Sequence, residues 1–137
     1  MKNNSFYFSI FFVLLFIVPS SCNNKQPFKP DYKTIGGVVI GKESCNTDED
    51  NDYWLIDFTV YPDEPPHIGD TLELNGMTYT NVLKVKGLQS RLKYVGMEVA
   101  IDYNKIGNRE VTMGCTVDSP VVYNLKEIFI IYQFEIR

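Results

Sequence analysis

The chain is poor in the side chains that most chemistry needs: its 137 residues hold one histidine, one tryptophan and three cysteines. The histidine, His67, stands in "DEPPHIGD" beside prolines and reads as a surface loop residue. A serine triad or a Cys/His pair would have to be built on it, and no nucleophile-elbow motif accompanies it. Basic side chains are outnumbered, 13 against 17 acidic, for a formal net charge of −4. Nucleic-acid binding rests mainly on lysine and arginine neutralising phosphates, so this balance argues against that class of partner. No apolar run approaches the roughly 20 residues of a membrane-spanning helix.

What the N-terminus does have is "IFFVLLFIV" at 10 to 18, following a short end that carries Lys2 and leading into "VPSSCNN". A basic end, an apolar stretch of about 7–15 residues and small residues before a cut describe a secretory signal peptide. Residues 1–21 are therefore expected to be removed, and with them Lys2. Two outcomes stand at the cut. Ser20, Ser21 and Cys22 look like a bacterial lipoprotein leader, in which the sulfur of Cys22 takes a diacylglycerol and becomes the first residue; Pro19 stands where that pattern has leucine. Otherwise a signal peptidase cuts after Ser20 and the protein is secreted and soluble. Two or three acyl chains, at about 0.8 kcal/mol per buried methylene, would hold a small domain firmly.

If Cys22 carries lipid, Cys45 and Cys115 remain as an even pair in an oxidising compartment, which suits a disulfide. Closing a loop of about 70 residues is worth about 4 kcal/mol in the chain-entropy account. The alternative is that Cys115 is simply a small buried hydrophobe.

Residues 22–32, "CNNKQPFKPDY", are polar and proline-containing and read as a tether. From Lys33 to the end at 137 the pattern has period two. In "YWLIDFTVY" the set Trp54, Ile56, Phe58 and Val60 forms an apolar face, with Asp57 and Thr59 on the other. In "MEVAIDY" the set is Met97, Val99, Ile101 and Tyr103, and in "VTMGCTV" it is Val111, Met113, Cys115 and Val117, which turns Cys115 inward. The last strand, "IFIIYQFEIR", is expected to bury Ile128, Ile130, Tyr132, Phe134 and Ile136.

Asn75-Gly76 marks a hairpin, since a type I′ turn needs positive φ at both central residues. "LQSRLKY" offers Leu88 and Leu92 four apart, enough for a helical turn or two. The glycines of "KTIGGVVIGK" permit the sharp bend that small barrels need. The expected fold is all-β, a small OB-like β-barrel of six to seven strands with one short helical turn; a β-sandwich is the alternative.

The leader ending in "SSC", "IGDTLELNGMTYTNV" at 68–82 and "LKYVGMEVAIDY" at 92–103 resemble the small lipoproteins of Bacteroidetes-type bacteria, including the NigD-like group with its OB-like part. The resemblance implies a place in the cell envelope and brings no catalytic residue with it. Such proteins often reach the cell surface through acidic residues just after the lipidated cysteine. Here Asn23, Asn24 and Lys25 follow, which favours the periplasmic side of the outer membrane over the surface.

Three local patterns invite chemistry. "GGVVIGK" at 36–42 has the spacing of a phosphate loop, but Glu43 replaces the magnesium-holding hydroxyl and the middle is strand-forming. Asp48, Asp50 and Asp52 alternate like the start of a calcium loop, but Tyr53 stands where the turn glycine belongs and Thr59 where the glutamate belongs. A solvated acidic loop is the plainer reading. Lys84, Lys86, Arg91, Lys93, Lys105 and Arg109 concentrate positive charge in the second half, either as a patch for an acidic glycan, headgroup or partner or as a solvated exterior. Tyr79, Tyr94, Tyr103 and Tyr123 are candidates for stacking on sugars.

The reading is a lipid-anchored envelope protein, not an enzyme and without a cofactor, that acts as a binding or structural module for an envelope protein or glycan. The second reading is an envelope enzyme acting on glycans through paired carboxylates such as Asp57 and Asp102, which would need to lie about 5–9 Å apart.

Overall fold

The computed structural model describes residues 30–60 and 66–136; the expected leader, Cys22 and most of the tether lie outside the described residues. The chain is all-β. Its strands are β1 (Lys33–Lys42), β2 (Trp54–Asp57), β3 (Asp70–Leu74), β4 (Met77–Val85), β5 (Glu98–Glu110) and β6 (Leu125–Glu135). Among the described residues, helix is limited to single 3₁₀ turns at Glu49–Asn51 and Ser90–Leu92. The second is the turn expected in "LQSRLKY".

All six strands belong to one sheet, in the order β2-β1-β5-β6-β4-β3, and a further pairing of β2 with β4 joins its ends. The result is a barrel-like ring of β1, β2, β4, β6 and β5, not two packed sheets. The pairing of β4 with β6 is parallel; the others are antiparallel. β2 and β3 lie end to end along the same edge of β4, β2 against residues 82–85 and β3 against 77–82. They act as one strand interrupted by an insertion.

Local chemistry explains the bends. The β3–β4 hairpin turns on Asn75 at φ 52° and Gly76 at φ 78°, the left-handed pair that the dipeptide predicts. β1 changes register between Val39 and Gly41, where it curves from β5 towards β2. At Gly37 a Cβ would stand 2.7 Å from the Asp57 carbonyl oxygen, so only glycine lets β2 approach this closely.

Successive residues on a strand face opposite sides, and the burial follows that alternation. Ile35, Val39, Ile56, Phe58, Leu83, Val85, Val99, Ile101, Tyr103 and Ile128 fill the ring, joined by Leu88 and by Leu92 of the second helical turn. A second cluster of Ile40, Leu55, Leu72, Val82 and Leu125 lies on the opposite face of β2 and β4, with Leu74, Tyr79 and Tyr123 against it. Both faces of β2 and of residues 81–85 are therefore buried.

Several expectations fail. "VTMGCTV" is not a strand: 111–116 are irregular, and Met113, expected inward, is 85% exposed. Its alternation was real in sequence, but the segment crosses outside the ring instead of pairing within it. Val60 lies beyond the end of β2 and is exposed. On β6, Tyr132 and Phe134 were expected in the core but are 63% and 45% exposed. They stand opposite Asp102 and Ala100 on β5, whereas the core residues Val99 and Ile101 face Glu135 and Gln133. Register irregularities between Asp102 and Lys105 reverse the inward set partway along the strand.

Candidate functional site

The densest group of ionisable side chains lies where the β1–β2 loop meets the segment between β5 and β6. Glu43 leaves β1, Tyr53 precedes β2, Lys84 sits on β4 and Glu127 on β6, with Lys84 and Glu127 in register across the parallel pair. Lys84 shares the outward face of β4 with Val82 and is buried. Its Nζ donates to the Glu110 carbonyl at 2.8 Å and to the Thr112 hydroxyl at 2.9 Å, and lies 4.0 Å from the Glu43 carboxylate.

Glu43 accepts from the Thr112 hydroxyl at 2.5 Å and from the Tyr123 N–H at 3.0 Å. Both ends of the pair are almost entirely out of water. A charge so buried is tolerated only when paired and hydrogen-bonded, and here Thr112 bridges the two ions.

The Tyr53 ring carries Lys84 Nζ at 4.8 Å and Lys86 Nζ at 5.7 Å from its centre. Burial, together with the hydrogen bond to Glu127 and the nearby carboxylates of Glu110 and Glu43, pushes the Tyr53 hydroxyl up to about 12. Burial also raises the Glu127 carboxyl, against the opposing pull of the Tyr53 hydrogen bond and Lys84. Tyr53 is thus a fixed donor, and the cluster's charges are spent largely on one another.

The covering segment is fastened firmly. Cys45 and Cys115 form a disulfide with Cα atoms 4.5 Å apart. Cys115 is not turned inward from a strand; it sits on the irregular stretch and reaches back to the β1–β2 loop. Ser44 and Val121 exchange backbone hydrogen bonds, and the Thr116 N–H donates to the Cys45 carbonyl at 2.8 Å. The Thr47 N–H donates to the Thr116 hydroxyl.

The acidic loop organises this junction. Asp52 is buried, and its Oδ1 accepts from the N–H groups of Cys45 and Asn46 and from the Asn46 side chain. Asp48 caps the 3₁₀ turn through the Asp50 N–H, and Asp50 pairs with Lys93 at 2.5 Å, which holds its carboxyl below the usual range. The three aspartates do not converge, and among the described residues no group of three or more His, Cys, Asp or Glu is placed to hold a metal.

The other sequence candidates separate. His67 is exposed. The positive residues are engaged separately: Lys84 is buried and lies with Lys86 over the Tyr53 ring, Arg91 donates to the Gln89 side chain, Lys93 holds Asp50, Arg109 holds Asp70 at 2.5 Å, and Lys105 lies 5.3 Å over the Phe129 ring. Of the tyrosines, Tyr103 lies in the ring, Tyr79 and Tyr123 flank the outer cluster and Tyr94 is exposed.

Asp57 and Asp102 flank β1, aligned with Val38 and Thr34 respectively. Two strand spacings and four residues of rise put their Cα atoms roughly 16 Å apart. Asp57 accepts from the Thr59 hydroxyl and Asp102 from the Thr34 hydroxyl.

Residues the sequence reading passed over carry much of this architecture. In sequence Glu43 stands out only where a phosphate loop would need a hydroxyl and Tyr53 only where a calcium loop would need glycine, and nothing marks Thr112 or Glu127. Asn81 and Asp70, two polar residues on strands, mark the buried fastenings. Comparison with protein-family models, with curated proteins and with solved structures finds no match to this chain.

Proposed function

We infer that this is a lipid-anchored protein of the bacterial cell envelope, attached through Cys22 and facing the periplasm from the outer membrane, whose folded domain is a binding or structural module. Its partner on this reading is an envelope protein or glycan. The observation that carries the module reading is the fate of the buried ionisable groups. Glu43 and Lys84 are locked to each other and to Thr112, and Asp52 to the backbone of its own loop. They build the fold. The disulfide is in keeping with export. Asp57 and Asp102, with Cα atoms roughly 16 Å apart, each accept from a threonine hydroxyl of their own, which weakens the reading as a paired-carboxylate enzyme.

The test is the intact mass of the protein purified from native membranes, followed by thermal melting of that material with envelope glycans and by capture of cross-linked envelope proteins. A mass beginning at Cys22 with diacylglycerol and acyl chains is expected. A chain beginning at Ser21 without lipid overturns the anchor and leaves a secreted binding protein. A lipidated chain that neither gains melting temperature with any glycan nor captures a partner overturns the binding part and leaves a structural role.

A further inference from the structure

The second half of β6 carries apolar side chains that the domain does not cover. From Ile128 to Phe134 the sequence "IFIIYQF" is uncharged, bounded by Lys126-Glu127 and Glu135. Phe129, Ile131, Tyr132 and Phe134 are all exposed. Elsewhere, exposed β surface is broken by charge, as on β5, where Lys105, Arg109 and Glu110 stand exposed. Uncovered apolar strands of this kind are normally blunted or covered.

The same surface is where the chain enters the domain. Lys33 pairs with Tyr103, which pairs with Ile130; Thr34 pairs with Asp102, which pairs with Tyr132. The start of β1 is thus two strand spacings, roughly 10 Å, from the apolar strip. A hollow of about 250 Å³ lined by Pro30, Asp31, Tyr32, Lys33, Tyr103 and Asn104 lies at this corner. Exposed Lys105 lies over the Phe129 ring, 5.3 Å from its centre.

We propose that the outer surface of β6 around Tyr132 and Phe134 is the face that the domain lays against the lipid bilayer. This rests on the reading that Cys22 is lipidated. Seven residues lie between Cys22 and Pro30, and the eight steps from one to the other span at most roughly 28 Å. The anchor therefore holds this corner of the domain beside the membrane at a high effective concentration, and even a weak surface contact is populated.

The chemistry fits the boundary between headgroups and acyl chains. Tyrosine and phenylalanine bring apolar bodies, the tyrosine hydroxyl stays hydrated, and Lys105 beside them reaches phosphate while its stem covers apolar surface. Four partly exposed side chains on one strand fall well short of the roughly 800 Å² per partner of a stable protein interface. A second copy therefore fits the strip less well than a bilayer does.

The test compares hydroxyl-radical oxidation, residue by residue, in two samples. One is the lipidated chain from native membranes, reconstituted in vesicles of phosphatidylethanolamine and phosphatidylglycerol. The other is the Cys22→Ser chain in solution. Oxidation of Tyr132 and Phe134 is expected to fall roughly threefold or more in vesicles, because side chains sunk in the headgroup region lose contact with water. Tyr94 and Met113, exposed elsewhere, are expected to be unchanged.

Equal oxidation of Tyr132 in both samples, with intact mass confirming lipid, overturns the membrane face alone. A native sample without lipid overturns the anchor as well. Protection of Tyr132 in the Cys22→Ser chain that grows with protein concentration assigns the strip to a second copy and overturns the proposal.

Discussion

Lys84 and Glu43 face each other 4.0 Å apart with side-chain exposures of 1% and 0%, and the Thr112 hydroxyl links them. The pair joins β4 to the end of β1 and both to the segment leaving β5, so three remote parts of the chain meet on one ion pair. Removing one partner leaves the other charged and buried. Lys84→Met is expected to cost about 3–5 kcal/mol in urea denaturation. Combining it with Glu43→Gln should cost less than the two single losses together, with a coupling of about 1–3 kcal/mol. Additive losses would show that the two charges do not stabilise each other.

The disulfide fastens what this pair is buried beneath. Its loop has a sequence separation of 70, for which about 4 kcal/mol is the upper figure. Replacing both Cys45 and Cys115 by serine is expected to cost up to that amount. It should also raise amide exchange first in residues 112–123, where the covering segment is held by Ser44, Thr47 and Glu43. The ring strands β1 and β5, packed through the inner core, should keep their protection. Loss of protection across both regions together would mean that the segment and the ring unfold as one unit.

The difference between these regions is also the difference between what was and was not legible in the sequence. The period-two pattern located most of the ring strands because burial on one face leaves alternation behind, and Asn75-Gly76 located the hairpin because few residues adopt its turn. The pattern failed at 111–117. There alternating apolar residues pass outside the ring, and what fixes them is a disulfide and hydrogen bonds to residues about 70 positions away. It failed again at Tyr132, since register irregularities on β5 and β6 cannot be read from either strand alone. The Lys84–Glu43 pair was hidden for a related reason. Both residues look like surface charges until the covering segment is placed over them.

Asp70 gives the fold a predictable response to acid. Burial pushes its carboxyl up, but the hydrogen bond and charge of Arg109, with the Lys126 N–H and ammonium, more than offset this and hold it below its ordinary value of 3.8. A carboxyl depressed in the folded state stabilises the protein fully above its unfolded pKa and loses that contribution as pH falls through the folded one. Asp70→Asn should therefore lower the melting temperature at pH 6 and flatten the melting curve's pH dependence below about pH 4. An unchanged slope there would assign the acid response to other carboxylates.

Asn81 is the remaining fastening, and it holds the insertion that divides β2 from β3. Its side-chain oxygen accepts from the Ile68 N–H at 3.0 Å and the Gly69 N–H at 2.7 Å. Its amide donates to the Phe58 carbonyl at 3.1 Å and the Pro66 carbonyl at 3.0 Å. One buried amide thus ties both ends of the insertion to β4, and Gly69 lies so close that a Cβ there would stand 2.5 Å from the Asn81 backbone. Asn81→Ala strips two buried and two part-buried backbone groups of their partner. Each buried group left unsatisfied costs about 1–3 kcal/mol, so a total loss of about 2–4 kcal/mol is expected once water reaches some of them. Asn81→Asp keeps the acceptor but puts an oxygen opposite two carbonyls, so it should recover little at neutral pH and more as acid protonates it. If Asn81→Asp were as stable as the parent at pH 7, the two N–H bonds alone would be holding the insertion.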